Sequence, residues 1–432
     1  MAGSKERCVR PQVFQVASVS AVLVSFLAMA EGKDTIPLAG LRVLDLADEK
    51  ACFCSKLLAD MGAEVIKVEK PGGDASRWEG PFWGNTPHPE KSLSFWYNNT
   101  SKLGITLCLE SKEGQGIFLR LASKADVVVE TFPPGYLGEI GLNYEVLSKK
   151  NPKLILASVT GFGQTGPYKD YKPCDIVASA VGGQMYVCGL PDCSPLKPYG
   201  QQSFYAASLF AAVGILMALR ERNFSGRGQH IDISLQEAVA ATLEHVMIRY
   251  YYEKVVPNRQ GNLHWTNSSC ILPCKDCYIL VTFGREWDTL IDLLDSEAMA
   301  EDLKEEKWRD EGYRRQHVDH IVQVLARWTM THPAVELFEI GQLMRFPWAP
   351  VISPDDVFNN PQLRARKYFI PVDHREANAS FIYPGSPSKF SGSPWNIWRR
   401  APLIGEHNTQ VYGRQLGFSH EELARLYSKN II

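Results

Sequence analysis

Residues 41–69 constrain this chain more than any other stretch. Leu41-Arg-Val-Leu-Asp-Leu46 is a short apolar run with strand character. From Ala51 to Met61, residues Phe53, Leu57, Leu58 and Met61 recur at helical spacing, and Gly62 follows as a C-terminal cap. Val65-Ile-Lys-Val-Glu69 is a second strand. Strand, helix and strand within about 30 residues is the signature of a parallel α/β sheet. The pattern recurs. A helical stretch at 113–124 leads into Asp126–Glu130, and another at 143–149 leads into Leu154–Thr160. These runs are continuously apolar rather than alternating, so the strands are expected to be buried on both faces. No Gly-x-Gly-x-x-Gly follows the first strand, which leaves a Rossmann-like layout without the dinucleotide fingerprint.

Further along, Phe204 to Arg220 reads as one long helix, Gln229–Ser234 as a strand, and Gln236 to Tyr252 as helix again. Residues near 262–350 differ in character. A short strand at Cys277–Thr282 precedes charge-rich stretches at Ser296–Glu306 and Arg314–Met330 that read as helices. From about Pro350 to Leu416 the chain is rich in Pro, Gly and Ser, as expected of an extended segment returning across the first domain. The expected class is α/β: a Rossmann-like large domain built from both chain ends plus a small α+β domain. The expected divisions are an N-terminal extension (1–37), the first part of the large domain (38–235), a linking helix (236–260), the small domain (261–350) and the return segment (351–432).

A net charge of −2 with 22% charged residues argues against a nucleic-acid partner, which would normally show a basic stripe. It leaves room for an anionic small molecule in a locally basic pocket. The ten cysteines are scattered, which suits reduced thiols in a reducing, cytoplasmic setting. Cys270, Cys274 and Cys277 cluster, but a metal site needs about four ligands and no second C-x-x-C follows, so no metal is expected. Lys5, Arg7 and Arg10 precede an apolar run from Val13 to Ala30. This resembles a secretory signal or an anchor. The favoured expectation is that the working chain starts at Met29, so that residues 1–28 are upstream sequence and the protein meets no membrane.

Several segments together resemble the family III CoA-transferases, a family that also includes a 2-methylacyl-CoA racemase. They are Leu41–Leu46 with LLADMGAEVIKVEKPGGD (57–74), ADVVVETFPPGYLGEIGL (125–142), NPKLILASVTGFGQTGPY (151–168), DIVASAVGGQM (175–185), SGRGQHIDISLQEAV (225–239) and RAPLIGEHN (400–408). Each piece alone is weakly specific; together, in the family's order, they cover about residues 38–430. The resemblance implies a Rossmann-like large domain, a small domain and two subunits interlocked as rings. It implies a reaction that moves CoA between carboxylic acids. In it a carboxylate attacks the thioester carbonyl to give a mixed anhydride, while donors aimed at the carbonyl oxygen stabilise the developing charge. The substrates would be an acyl-CoA and a carboxylic acid, and the assembly a homodimer or a heteromer with a second family III chain.

The same resemblance exposes a gap. The family's nucleophilic aspartate lies ten residues before a Gly-Ile-Leu-like triplet, here Gly214-Ile-Leu216, and that position is Phe204. The racemase relatives place a histidine about 30 residues before the aspartate, and the count from Cys174 again reaches Phe204. A phenyl ring can neither attack a thioester nor move an α-proton. Further departures are Glu139, where some members have a phosphate-binding arginine, and Asn262–Trp265, where a glycine run covers the active site in formyl-CoA transferase.

Two candidates for a substitute acid follow: Asp175, whose alternative is a helix cap, and Glu49, whose alternative is an exposed turn charge. Lys70 is placed by the resemblance near the CoA adenine and Lys102 in a basic loop near phosphate. Lys50, Thr131, Phe132, Pro133, Lys172 and Cys174 complete the expected CoA-contacting set, with Phe204 and Tyr205 lining the acyl pocket. Three functions stay open: an active CoA-transferase using another carboxylate, the CoA-holding subunit of a heteromeric transferase, and a non-catalytic acyl-CoA-binding regulatory partner.

Overall fold

The computed structural model describes residues 36–432, so the basic and apolar N-terminal segment lies outside the described residues. Six strands form one sheet. They are β1 (Arg42–Leu46), β2 (Glu64–Glu69), β3 (Leu103–Thr106), β4 (Val127–Glu130), β5 (Ile155–Thr160) and β6 (His230–Ser234). Their order is β3-β2-β1-β4-β5-β6 and every pairing is parallel. The chain winds outward from β1 through α1 (Cys52–Asp60) to β2 and β3, then crosses back to β4, so the winding direction reverses between β1 and β4. In β4 and β5 every residue is buried, as continuous apolar strands between two layers require.

The two faces carry separate cores. On one, α2 (Lys112–Ala122) packs with the C-terminal residues Val411, Tyr412, Leu423, Leu426 and Ile432. On the other lie α1, α3 (Asp175–Val181), α4 (Gln202–Ser225) and α5 (Leu235–Ala241). The return segment also closes the open edge at β3. Thr106 N–H donates to Asn408 Oδ1 (2.9 Å), Gly104 N–H to His407 Nδ1 (3.0 Å), and the Tyr412 hydroxyl to the Thr106 carbonyl (2.6 Å). A covered edge no longer offers a template to another chain.

A third core holds α6 (Trp287–Ser296), α7 (Val318–Thr329) and α8 (Ala334–Leu343) against an antiparallel sheet. Its strands are β7 (Ser269–Pro273), β8 (Tyr278–Thr282) and β9 (Ala349–Pro350). The sequence reading is corrected here. The stretch expected to be helical at Ser296–Glu306 forms 3-10 turns at Glu301–Lys304 and Glu306–Arg309. The helix precedes it, where Trp287, Leu290, Ile291 and Leu294 supply the buried stripe. Arg314–Met330 is two helices that meet at His317. Gln236–Tyr252 is not one helix either: α5 ends at Ala241, and Glu244 takes a left-handed φ of 48° before a short helix resumes. The return segment contains a hairpin, β10 (Phe369–His374) and β11 (Ala379–Pro384), turning at Asn378.

Candidate active site

An open parallel sheet gathers ligands beyond the carboxyl ends of its strands, at the point where the winding reverses. Here Leu46 of β1 sits opposite Glu130 of β4. Just beyond them the Asp48 N–H donates to Thr131 Oγ1 (2.9 Å) and the Thr131 hydroxyl donates to Asp48 Oδ1 (2.8 Å), stapling the two strand exits together. A cavity of about 210 Å³ opens at this staple, walled by Leu46, Val68, Leu107 and Leu109, with Thr131, Phe132 and Lys70 along it. Phe132 and Tyr136 pack with ring centroids 4.7 Å apart. The Tyr136 hydroxyl donates to Glu110 (2.8 Å), and this bond holds the Glu110 carboxyl below its ordinary range. The lining is mixed: apolar walls, the aromatic rings of Phe132 and Tyr136, and Lys70 beside the carboxyls of Asp48, Glu69, Asp74 and Glu110.

Of the expected CoA contacts, the fold brings Lys70, Thr131 and Phe132 to this cavity, and exposed Pro133 follows Phe132 in the chain. Lys50 is ion-paired to Asp48 beside it. Lys172 and Cys174 are exposed in the loop before α3 and do not line this cavity. Lys102 is a correction. It is fully buried, and its ammonium donates to Asp45 (2.8 Å), Asn99 Oδ1 (2.8 Å) and the Cys52 carbonyl (2.9 Å). Burial opposes ionisation of Asp45, but Lys102, Lys67 and the Ser55 hydroxyl outweigh it and hold the carboxyl below its ordinary range. This charge cluster anchors α1 to the sheet.

The loop after β1 also meets the first turns of α4. The Lys50 carbonyl accepts from Ser208 (3.5 Å), and Gln201 donates to Glu79 (3.4 Å). Burial and the neighbouring Asp48 charge push the half-buried Glu49 carboxyl up to about 7, and Glu79 is raised by burial as well. So one expected acid, Glu49, stands in an acidic group next to α4, the helix on which the resemblance implies a nucleophile.

The other expected acid does not. Asp175 Oδ1 accepts from the Ser203 N–H (3.0 Å) and hydroxyl (2.7 Å), while Oδ2 pairs with Lys197 (2.8 Å). Both oxygens hold the start of α4 in place, so the helix-cap alternative describes Asp175 better than the catalytic one. Phe204 is also corrected. It is only 6% exposed and belongs to the core cluster with Ala47, Ala51 and Cys54. Tyr205 does face space. Its hydroxyl donates to Asn98 (3.3 Å), its ring meets Phe53 edge-on at 4.8 Å, and it borders a cavity of about 460 Å³ with Leu209, Phe210 and Val213.

Sequence reasoning passed over Glu79 and Glu130. Glu130 ends β4; burial pushes its carboxyl up to about 7 against bonds from Ser158 and the Phe132 N–H. Its position at a strand's carboxyl end beside the winding reversal was the available signal. Glu79 approaches only through the fold, and nothing local marks it.

Comparison with known proteins gives a consistent picture. The sequence model of the family described as CoA-transferase family III matches residues 38–408. The succinyl-CoA:(R)-benzylsuccinate CoA-transferase subunit BbsE of Thauera aromatica is 34% identical over 379 residues, covering 86% of this chain and 92% of that one. The succinyl-CoA–L-malate CoA-transferase beta subunit of Chloroflexus aurantiacus is 33% identical over 406 residues, covering 92% and 98%. Among solved structures, a CAIB/BAIF family protein from Brucella suis superposes with a TM-score of 0.79 at 31% identity, covering 88% of this chain and all of that one.

Proposed function

The chain belongs to CoA-transferase family III, and on that premise we propose that it moves coenzyme A from an acyl-CoA to a free carboxylic acid as the CoA-holding subunit of a two-chain enzyme. The nucleotide end of CoA lies in the cavity between β1 and β4, stacked near Phe132 with Lys70 facing phosphate. The acyl thioester extends along the Asp48–Lys50 loop towards α4. One observation carries the division of labour: the first turn of α4 has no carboxylate, and Phe204 is sealed in the core where the nucleophile belongs. A second family III chain then supplies the carboxylate that attacks the thioester, forms the mixed anhydride and releases CoA thiolate. Two relatives named as subunits support this arrangement. So does the uncovered apolar face of α4, where Leu209, Phe210, Val213, Leu216 and Met217 stand exposed as a surface for a second chain. The nine described cysteines are free, which suits a reducing cytoplasm.

Glu49 supports a second reading, in which this chain carries its own nucleophile. Its raised carboxyl is half ionised near neutrality, and the ionised half is correspondingly basic. Trapping separates the two readings. The purified chain, alone and with a candidate second chain, is incubated with acyl-CoA and hydroxylamine or borohydride, and modified carboxylates are mapped by mass spectrometry. Modification confined to the second chain is the expected result. A trapped adduct on Glu49 in the chain alone transfers the role to Glu49.

A further inference from the structure

The small sheet carries a pair of thiols that the transfer reaction does not use. Cys274 and Cys277 close the turn between β7 and β8, with only Lys275 and Asp276 between them. Pro273 pairs with Tyr278 at the last rung of the ladder, and the Cys274 N–H donates to the Cys277 carbonyl (2.9 Å). The two cysteines therefore face each other directly across the hairpin. Opposed residues of this kind have Cα atoms about 5.5 Å apart, inside the window of roughly 4.4–6.8 Å that a disulfide spans. Their sulfurs are already in contact at 3.8 Å. Cys274 is 5% exposed, while Cys277 is open to solvent.

Two chemistries use such a pair, a metal ion and a disulfide. The third donor within reach is Asp276, and its Oδ1 already accepts the Ala334 N–H (2.9 Å) at the start of α8 and the Cys274 thiol (3.4 Å). No fourth ligand joins this group among the described residues, and a closed tetrahedral site needs four. A disulfide needs only the two sulfurs, and rotation of the exposed Cys277 side chain shortens their separation.

We propose that Cys274 and Cys277 form a reversible disulfide by exchange with a small-molecule disulfide of the glutathione class. The exposed Cys277 thiolate attacks one sulfur of the reagent, breaking its S–S bond, forming a mixed disulfide and releasing one small thiolate. Cys274 then attacks the Cys277 sulfur, the protein S–S bond forms and the second small thiolate leaves. The two protons given up by the cysteines are taken by the two released thiolates. The protein loses two electrons and the reagent gains them, so the exchange balances with nothing else added.

The test uses the full chain in reduced and oxidised glutathione mixtures of increasing oxidation, quenched by alkylation and digested for mass spectrometry. The expected result is that Cys274 and Cys277 pass together from alkylated to unalkylated, in a peptide two hydrogens lighter than the free dithiol form and carrying no glutathione. Cys274→Ser should instead trap glutathione on Cys277. Independent alkylation of both thiols at every poise, or stable single glutathionylation of the unmodified chain, overturns the proposal. Protection from alkylation that a chelator reverses under reducing conditions overturns it in favour of a metal.

Discussion

At the scale of single residues, the site separates side chains that serve the ligand from side chains that serve the fold. Lys70 and Lys102 looked alike in sequence, yet one is exposed at the cavity and the other is buried against Asp45. Lys70→Ala is expected to weaken CoA binding about five- to tenfold while leaving stability within about 0.5 kcal/mol. Lys102→Met strands a buried carboxylate and should cost roughly 3–5 kcal/mol. Calorimetric titration with CoA and urea denaturation read the two effects, and a reversed pattern would contradict the assignment. Phe204→Asp is a weaker rescue than the sequence suggests. It removes a buried ring and puts a charge in its place, so a loss of at least about 3 kcal/mol is expected, together with no gain of turnover. A variant with unchanged melting and new activity would show that the position opens to substrate.

At the scale of elements, α4 matters most. It is long and apolar enough to cross a bilayer by length and composition, but Ser203, Phe204, Ala207, Ala211, Ile215 and Ala218 bury one face against the sheet and its neighbouring helices. Its start lacks a capping side chain at Gln201, and Asp175 supplies the missing acceptor from α3. An anionic acceptor at a helix N-terminus is worth about 0.5–2 kcal/mol. Asp175→Ala should lose about that much, with faster amide exchange confined to the first turn of α4. Asp175→Asn should keep most of the protection, because an amide oxygen still accepts from Ser203. Unchanged exchange in the alanine variant would return Asp175 to the list of free acids.

At the scale of the whole molecule, stability follows pH through the carboxyls whose ionisation the fold opposes. Glu130 titrates near 7 in the fold and near its ordinary 4.5 when unfolded. Between these values the folded state holds a proton that the unfolded state has released, so stability falls as pH rises through the window. Full ionisation costs at most about 3 kcal/mol, and relaxation of the surroundings lowers that figure. Glu130→Gln should therefore be as stable as the unmodified chain near pH 4 and more stable at pH 8. Thermal melts across that range test it, and equal losses at both ends would place the effect in packing instead. The molecule also depends on its tail. Val411, Tyr412, Leu426 and Ile432 belong to the same core as β1 and β3, so the two ends of the chain stabilise one body.

How much was legible depended on whether the signal was local. The parallel strands, the long helix and the closing glycine at 62 could be read directly, because strand hydrophobicity, helical spacing and a left-handed φ of 99° at Gly62 are properties of neighbouring residues. That Phe204 stands where the family resemblance expects an aspartate also came from the sequence, by counting back from Gly214. β3 was missed because Leu103-Gly-Ile-Thr106 is four residues long with a glycine inside. A Cβ on Gly104 would lie 2.7 Å from Pro402, nearly three hundred positions away. The same holds at the site. Sequence determined which acids and lysines were available and which segments become parallel strands, while the pairing of β1 with β4 appears only in the fold. Tertiary structure alone decided that Asp175 caps a helix, that Lys102 neutralises Asp45 and that Glu79 approaches the Asp48–Lys50 loop. Burial, charge pairing and carboxyl ionisation are set by neighbours in space, and those neighbours come from segments far apart in the chain.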